Sequence, residues 1–117
     1  MPMKNSFYIH LKKKFVRVDI DRIIYILSVA HHVKIYTDHG IFMPHLSLKQ
    51  LETILPEEDF SRVNRGTLVA HSRITSFTTN EIYLKDISFS FSDKYRKLLE
   101  HKLTVVLHNE NQADLSP

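Results

Sequence analysis

The chain has 117 residues, no cysteine and only two glycines, and its formal net charge at pH 7 is +3. This length fits one domain with a modest core, and the lack of cysteine excludes disulfides, thiolate zinc sites and cysteine nucleophiles. Two glycines cannot build a glycine-rich phosphate loop, which excludes most nucleotide-dependent enzymes. No apolar run has the length of a bilayer span and the N-terminus lacks a signal-peptide pattern, so we expect a cytoplasmic protein without membrane insertion.

The charge is unevenly distributed along the chain. All 16 lysines and arginines lie at or before Lys102, whereas the acidic residues Glu110 and Asp114 lie beyond it. A basic domain of this size is compatible with nucleic-acid binding, although charge alone does not establish it.

Short segments with alternating apolar and polar residues dominate the chain and predict β-strands. The predicted strands cover residues 7–11, 15–20, 22–29, 33–37, 41–45, 67–71, 73–78, 81–84 and 87–91. The segment 22–29 is nearly all apolar, which predicts a strand buried on both faces. The run Lys12–Lys14 is predicted to be the solvated tip of the first hairpin. Gly40 can take positive φ in a tight turn, and Pro44 cannot donate to a ladder, so its strand should lie at a sheet edge or end there.

Residues 47–55 predict a short helix, because leucines recur there at helical spacing. Ser47 and Gln50 have the spacing of a capping box, in which each side chain bonds the other residue's backbone N–H. Pro56 follows directly and should end the helix.

A second, amphipathic helix is predicted over residues 93–103, with Ser92 as its N-cap. Its predicted inner side consists of Tyr95, Leu98, Leu99 and the stem of Lys102. Residues 108–117 are polar and aperiodic, so we expect a loose tail there that is dispensable for folding, with the domain itself covering residues 1–107.

Residues 57–74 raise the main functional question of the sequence. Arg62 and Arg65 flank a small polar segment that is followed by apolar residues. The pattern fits either a loop that offers cations to phosphate or a strand edge with two solvated arginines. Arg62 alternates with Phe60, which favours a structural role for it, with an acidic partner among Glu57, Glu58 and Asp59.

The same stretch, in its context, resembles the LytTR family, the DNA-binding output domain of many bacterial two-component response regulators. The resemblance covers roughly residues 5 to 103 and rests on three segments, residues 23–37, 47–74 and 91–99. Within the family signature that follows the short helix, the matching residues are Phe60, Arg62, Val63, Arg65 and Val69. A match of several motifs over about a hundred residues is far more specific than any single short motif.

This resemblance implies an elongated, mainly antiparallel β fold of about three small sheets with short helices. It also implies sequence-specific binding of double-stranded DNA by a transcriptional regulator, with loops entering successive major grooves. The partners it implies are DNA and a receiver domain or cognate regulatory protein, and a homodimer on DNA is compatible with it.

The sequence departs from the family pattern at several signature positions. Asn64, Gly66, Thr67 and Ala70 stand where the family usually has His, Ser, Tyr and Asn. Ser92-Asp93 stands where the family commonly has Ser-Arg at the start of the last helix. Asp93 would repel phosphate, although it could accept a hydrogen bond from cytosine.

Six residues are the predicted DNA contacts: Asn64, Arg65, Asp93, Lys34, His32 and Lys94. Arg65 is interpreted as a phosphate or base contact, with a solvated loop arginine as the alternative. Asn64 can pair bidentately with adenine, or it can act as a turn residue that bonds its own backbone.

Two other classes of function are weighed against duplex-DNA binding. The first is a LytTR-like β module that has lost DNA binding and mediates protein–protein interaction. The second is a stacking platform for single-stranded nucleic acid, but the aromatic residues alternate within strands, which favours a core role. The histidine spacing does not predict a zinc site and no nucleophile turn is present, so we expect neither an enzyme nor a cofactor.

Overall fold

The computed structural model describes residues 5–107. The strands are β1 (Ser6–Leu11), β2 (Lys14–Asp19), β3 (Ile23–Val29), β4 (His32–Thr37), β5 (Gly40–Phe42), β6 (Phe60–Asn64), β7 (Thr67–Ala70), β8 (Ile74–Phe77), β9 (Glu81–Leu84) and β10 (Ser88–Ser90). The helices are α1 (Leu48–Ile54) and α2 (Asp93–Glu100), and short 3₁₀ turns precede β3 and β8.

The strands form three antiparallel sheets, as the resemblance implied. One is the β1–β2 hairpin, one has five strands in the order β5-β4-β3-β7-β6, and one has three in the order β10-β9-β8. The molecule measures 61 × 35 × 23 Å and its radius of gyration is 16.4 Å. A compact chain of this length would have a radius of gyration of about 13 Å. The predicted elongated, mainly β fold is therefore confirmed.

The five-stranded sheet separates two hydrophobic cores. Helix α1 and the β1–β2 hairpin cover one face, where Leu51 packs with Ile26 and Ile35. Helix α2 and the three-stranded sheet cover the other face, where Leu99 and Ile82 pack with the strands. Strand β3 contributes to both cores, which confirms the prediction that this apolar segment is buried on its two faces.

The two helices differ in how well their ends were predicted. At α1 the capping box is present, since Ser47 Oγ accepts from the Gln50 N–H at 3.1 Å and Gln50 Oε1 accepts from the Ser47 N–H at 2.9 Å. At α2 the prediction of a capping side chain was wrong: Ser92 Oγ donates to the Val63 carbonyl at 3.4 Å instead. Leu98 was also misplaced, because its side chain is 54% exposed.

All nine predicted strands are present, and their ends agree with the prediction to within one residue except at the end of β5. Strand β6 was not predicted as a strand, because its run of buried residues lacks a clean alternation. Strand β5 lies at the sheet edge and ends at Phe42, before Pro44, and Gly40 has a φ of +131°. The predicted tail, residues 108–117, lies outside the described residues. Neither helix within residues 5–107 has the length and apolar character that a bilayer crossing requires.

Candidate nucleic-acid interface

Three chain segments meet at one end of the five-stranded sheet. Ala30 and His31 form the turn between β3 and β4, and Arg65 and Gly66 form the turn between β6 and β7. The two turns are adjacent, because the Ser28 N–H at the end of β3 donates to the Gly66 carbonyl at 2.9 Å. The start of α2 lies beside them, because the backbone N–H of Ser92, its N-cap residue, donates to the Val63 carbonyl of β6 at 3.0 Å. We call this region the turn end.

A row of directly paired residues crosses the sheet just below the two turns. Lys34 pairs with Leu27, Leu27 pairs with Thr67, and Thr67 pairs with Asn64. Residues directly opposite one another in an antiparallel sheet point to the same face, so all four side chains lie on the α2 side. Neighbouring strands are spaced by about 4.8 Å, which places the Lys34 and Asn64 backbones about 14 Å apart.

The turn that carries Arg65 is held by hydrogen bonds on its backbone. Arg62 Nη1 donates to the Arg65 carbonyl at 2.7 Å, and the Gly66 N–H donates to Asn64 Oδ1 at 2.9 Å. A third hydrogen bond to the turn runs from the Ser28 N–H to the Gly66 carbonyl. The Arg65 side chain itself is exposed and, within residues 5–107, its guanidinium has no ion-pair or hydrogen-bond partner. A positioned backbone therefore presents a free cation.

Arg62 is a structural residue, but its acidic partner was predicted wrongly. Its Nη2 pairs with Glu52 Oε1 on α1 at 3.0 Å, and its side chain is only 18% exposed. The strand β6 directs Arg62 toward the α1 face, away from the acidic residues that precede it in sequence. Arg62 thus joins α1 to the Arg65 turn and does not offer its charge to a ligand.

The Asn64 amide is committed to the protein at both of its polar atoms. Its Nδ2 donates to the Ser90 carbonyl at 2.9 Å and to Ser90 Oγ at 3.3 Å, while Oδ1 accepts from Gly66. A bidentate pair with adenine needs a free amide donor and a free amide acceptor on the same side chain. In this geometry both sets of bonds would have to break before Asn64 could pair with a base.

The acidic residue at the start of α2 is neutralised by its own helix. Asp93 pairs with Lys97 at 3.1 Å and with Arg96. Hydrogen bonds from Lys97 and then Arg96 hold the pKa of Asp93 below its usual value. Lys94 is exposed beside it, with Nζ 5.3 Å from the centre of the Tyr95 ring. The anion at the turn end is therefore matched by two cations, and Lys94 adds a further one.

His32 and Lys34 lie on β4 at the same end of the sheet. The His32 ring packs against the ring of His45, a loop residue, with 3.8 Å between the ring centres. In the described part of the chain, no three His, Asp or Glu side chains gather in the way a metal site requires.

Residues 13–104 match the family model described as the LytTr DNA-binding domain. The chain belongs to this family. Its fold is similar to that of the LytTr DNA-binding domain of a putative methyl-accepting/DNA response regulator from Bacillus cereus, at 14% sequence identity and a TM-score of 0.72. That match covers 85% of this chain and 96% of the other. No curated protein matches the sequence.

This LytTr domain brings all six predicted contact residues to the turn end: His32, Lys34, Asn64, Arg65, Asp93 and Lys94. Their contact with DNA stays a prediction. Sequence reasoning missed Ser28 and Ser90 as partners of the Arg65 segment, and it gave Arg62 a structural role without indicating the bond to the Arg65 carbonyl. No local pattern indicated them, because Ser90 is 26 positions from its partner Asn64.

Proposed function

We propose that this LytTr domain binds double-stranded DNA in a sequence-specific manner through its turn end. In this proposal the turns Ala30–His31 and Arg65–Gly66 approach the major groove, and the start of α2 approaches the neighbouring backbone. The domain is the output part of a cytoplasmic response regulator, controlled by a receiver domain or a separate regulatory protein. Two copies bind when the operator contains two sites.

The observation that carries the proposal is the fixed Arg65 turn. Its backbone is bonded at three points, from Arg62 on β6, from β3 and from within the turn, whereas the arginine side chain is exposed and unpaired within residues 5–107. Arginine offers five donors in a planar fork, which suits a phosphate or the O6 and N7 acceptors of guanine. Because the backbone of this turn is already ordered, binding has to order only the arginine side chain there, which lowers the conformational part of the entropy cost.

The charges at the turn end suit a polyanion. Lys34, Arg65 and Lys94 are cations there, and the one acidic residue among the predicted contacts, Asp93, is paired within its helix. Each phosphate contact releases condensed counterions, so affinity should fall steeply as the salt concentration rises. Asn64 has a different role in this proposal, since it holds the turn and acts through Arg65.

The test starts with selection of bound duplexes from a random library, followed by binding titrations of Arg65→Ala at several salt concentrations. A phosphate contact predicts weaker binding on all duplexes and a salt slope reduced by about one. A bidentate base contact predicts a loss of roughly 1–3 kcal/mol on the selected duplex and relaxed preference at one base pair.

Arg22→Ala is the matched control, because Arg22 is exposed and lies just before β3, at the opposite end of the sheet. It removes the same charge and should change affinity much less than Arg65→Ala. Equal losses for the two variants would show that net charge, and not the turn end, binds DNA. If no duplex is enriched, the alternative is supported, a LytTr module that mediates protein–protein interaction.

A further inference from the structure

The outward face of the β1–β2 hairpin is unusually aromatic for a surface. Tyr8 is 62% and Phe15 is 72% exposed. Cross-strand pairing places Tyr8 opposite Arg17 and His10 opposite Phe15 on this face, and the rings of the latter pair lie 4.9 Å apart. The opposite face of the hairpin, with Ile9 and Val18, packs into the core. The exposed rings therefore lie outside the hydrophobic core, on the solvent side of the hairpin.

The tip of the same hairpin carries three consecutive lysines, and two of them have positive φ. Lys12, Lys13 and Lys14 are all exposed, and none has an ion-pair partner within residues 5–107. Lys12 has a φ of +46° and Lys13 a φ of +68°, values at which glycine and asparagine are favoured. A two-residue hairpin turn of this type requires positive φ at both positions, so this turn holds lysines where glycine or asparagine would cost less.

A cleft with the opposite charge lies at the base of the hairpin. Its volume is about 450 Å³, and its rim carries the carboxylates of Asp21, Glu58 and Asp59. No ion pair or side-chain hydrogen bond to these three carboxylates occurs within the described residues. Apolar atoms of Ile20 and Phe60 line the cleft between them. An aromatic ring or a lysine stem fits such a lining, and an ammonium group fits the rim.

The tip and the cleft of one molecule cannot meet. The two strands are paired from Ser6–Asp19 to Leu11–Lys14, and the cleft begins at the base of this ladder, where the Ile20 N–H bonds the Asn5 carbonyl at 2.8 Å. Five residue steps along a strand separate the tip from the cleft by about 17 Å. The complementary partner for each surface is therefore another molecule.

We propose that the hairpin tip of one copy docks into the acidic cleft of a second copy, so that copies associate head to tail. Lys12–Lys14 meet the carboxylate rim, and Phe15 enters the apolar part of the cleft. The cleft includes Ile23 and Ala70, at the end of the sheet opposite the turn end, so it stays accessible when DNA is bound. Because the tip and the cleft are different surfaces, a dimer of this kind leaves one tip and one cleft unoccupied. Further copies can therefore add at both ends.

The experiment measures the association of the full chain without DNA, by sedimentation velocity over a range of concentrations at low salt. The wild type should form dimers and longer chains whose average mass rises with concentration. Lys12→Glu/Lys13→Glu removes the tip contact and Glu58→Lys/Asp59→Lys removes the cleft contact, so each variant alone should be monomeric. An equimolar mixture of the two should associate again, because the native tip of one variant meets the native cleft of the other, and the exchanged charges of the remaining tip and cleft also attract each other.

Two further variants make the result specific. Lys49→Glu/Lys85→Glu changes the net charge as much as the tip variant does, at exposed sites elsewhere, and should associate like the wild type. Phe15→Ala leaves the charge unchanged and should weaken association, because it removes the ring that enters the apolar part of the cleft. Raising the salt from 0.01 M to 1 M shortens the Debye length from about 30 Å to about 3 Å and should also reduce association.

Three outcomes would overturn the proposal: a wild type that is monomeric at every concentration, a tip variant that associates normally, or a mixture that stays monomeric. If the tip variant associates normally but binds a duplex more weakly, the hairpin is a DNA contact instead. Thermal melting of each variant separates loss of association from loss of folding. Because no DNA is present in the association assay, its failure leaves the proposed DNA binding untouched.

Discussion

Replacement of Asn64 by alanine separates two roles for this residue, holding the turn and pairing with a base. Asn64→Ala removes the bond to the Gly66 N–H and the bonds to the Ser90 carbonyl and hydroxyl. A typical intramolecular hydrogen bond contributes about 0.5–1.5 kcal/mol net, so the loss of the two short bonds, each at 2.9 Å, should cost about 1–3 kcal/mol. In a domain of this size that corresponds to a fall in Tm of about 5–20 °C.

The assay combines thermal melting with titrations of the selected duplex and its single base-pair variants. If Asn64 holds the turn, Asn64→Ala should melt earlier and bind all duplexes more weakly by a similar factor. Asn64→Asp should be destabilised as well, because its carboxylate still accepts from the Gly66 N–H but places an acceptor oxygen against the Ser90 carbonyl.

The opposite pattern would refute this reasoning. An Asn64→Ala variant with an unchanged Tm that loses discrimination at one A·T pair would show that the amide leaves its protein partners and pairs with adenine. Ser90→Ala provides a control, since it removes only the weaker bond at 3.3 Å and keeps the carbonyl acceptor. We expect it to lower the Tm by much less than Asn64→Ala does.

Three further predictions follow from burial and charge. Asp93→Arg should tighten duplex binding, measured at low salt, because it exchanges an anion for a cation at the turn end; unchanged affinity would place Asp93 away from DNA. Ile26→Asp should prevent cooperative folding, because Ile26 is 0% exposed, whereas Ile41→Asp at a 54% exposed site should still melt cooperatively. Burial lowers the pKa of His71 below 6.5, so the folded state binds fewer protons than the unfolded state; the free energy of unfolding should fall as pH drops below about 6.5, and His71→Gln should reduce that fall in denaturant titrations.

The features that sequence predicted well are local ones. The capping box of α1 depends on Ser47 and Gln50, three residues apart, and the turn at Gly40 depends on one residue that tolerates positive φ. Strand β3 was also predictable, because a continuous apolar segment of this length has to be covered on both sides. Such patterns are complete within a few residues of sequence.

The features that sequence missed depend on distant partners. Strand β6 contains Ser61, a polar residue that is buried because its hydroxyl lies 2.8 Å from His71 Nε2 on the neighbouring segment. Arg62 bonds Glu52 because the strand turns its side chain toward α1, although three other acidic residues are nearer in sequence. The hydroxyl of Ser92 bonds Val63 of β6, so it is not free to cap α2. Each of these choices is decided by tertiary packing, which local propensity does not encode.

The row from Lys34 to Asn64 fixes the backbone frame on which the proposed DNA contacts are presented. The spacing between its members is set by backbone hydrogen bonds, so it is the same whatever side chains occupy the row. A shift of one residue in the register of any strand would exchange the faces of all its side chains and expose a core. In the proposed mode of DNA binding, a substitution in the row, in the adjoining turns or at the start of α2 therefore changes the side chain offered to DNA, while the backbone frame that holds it stays the same.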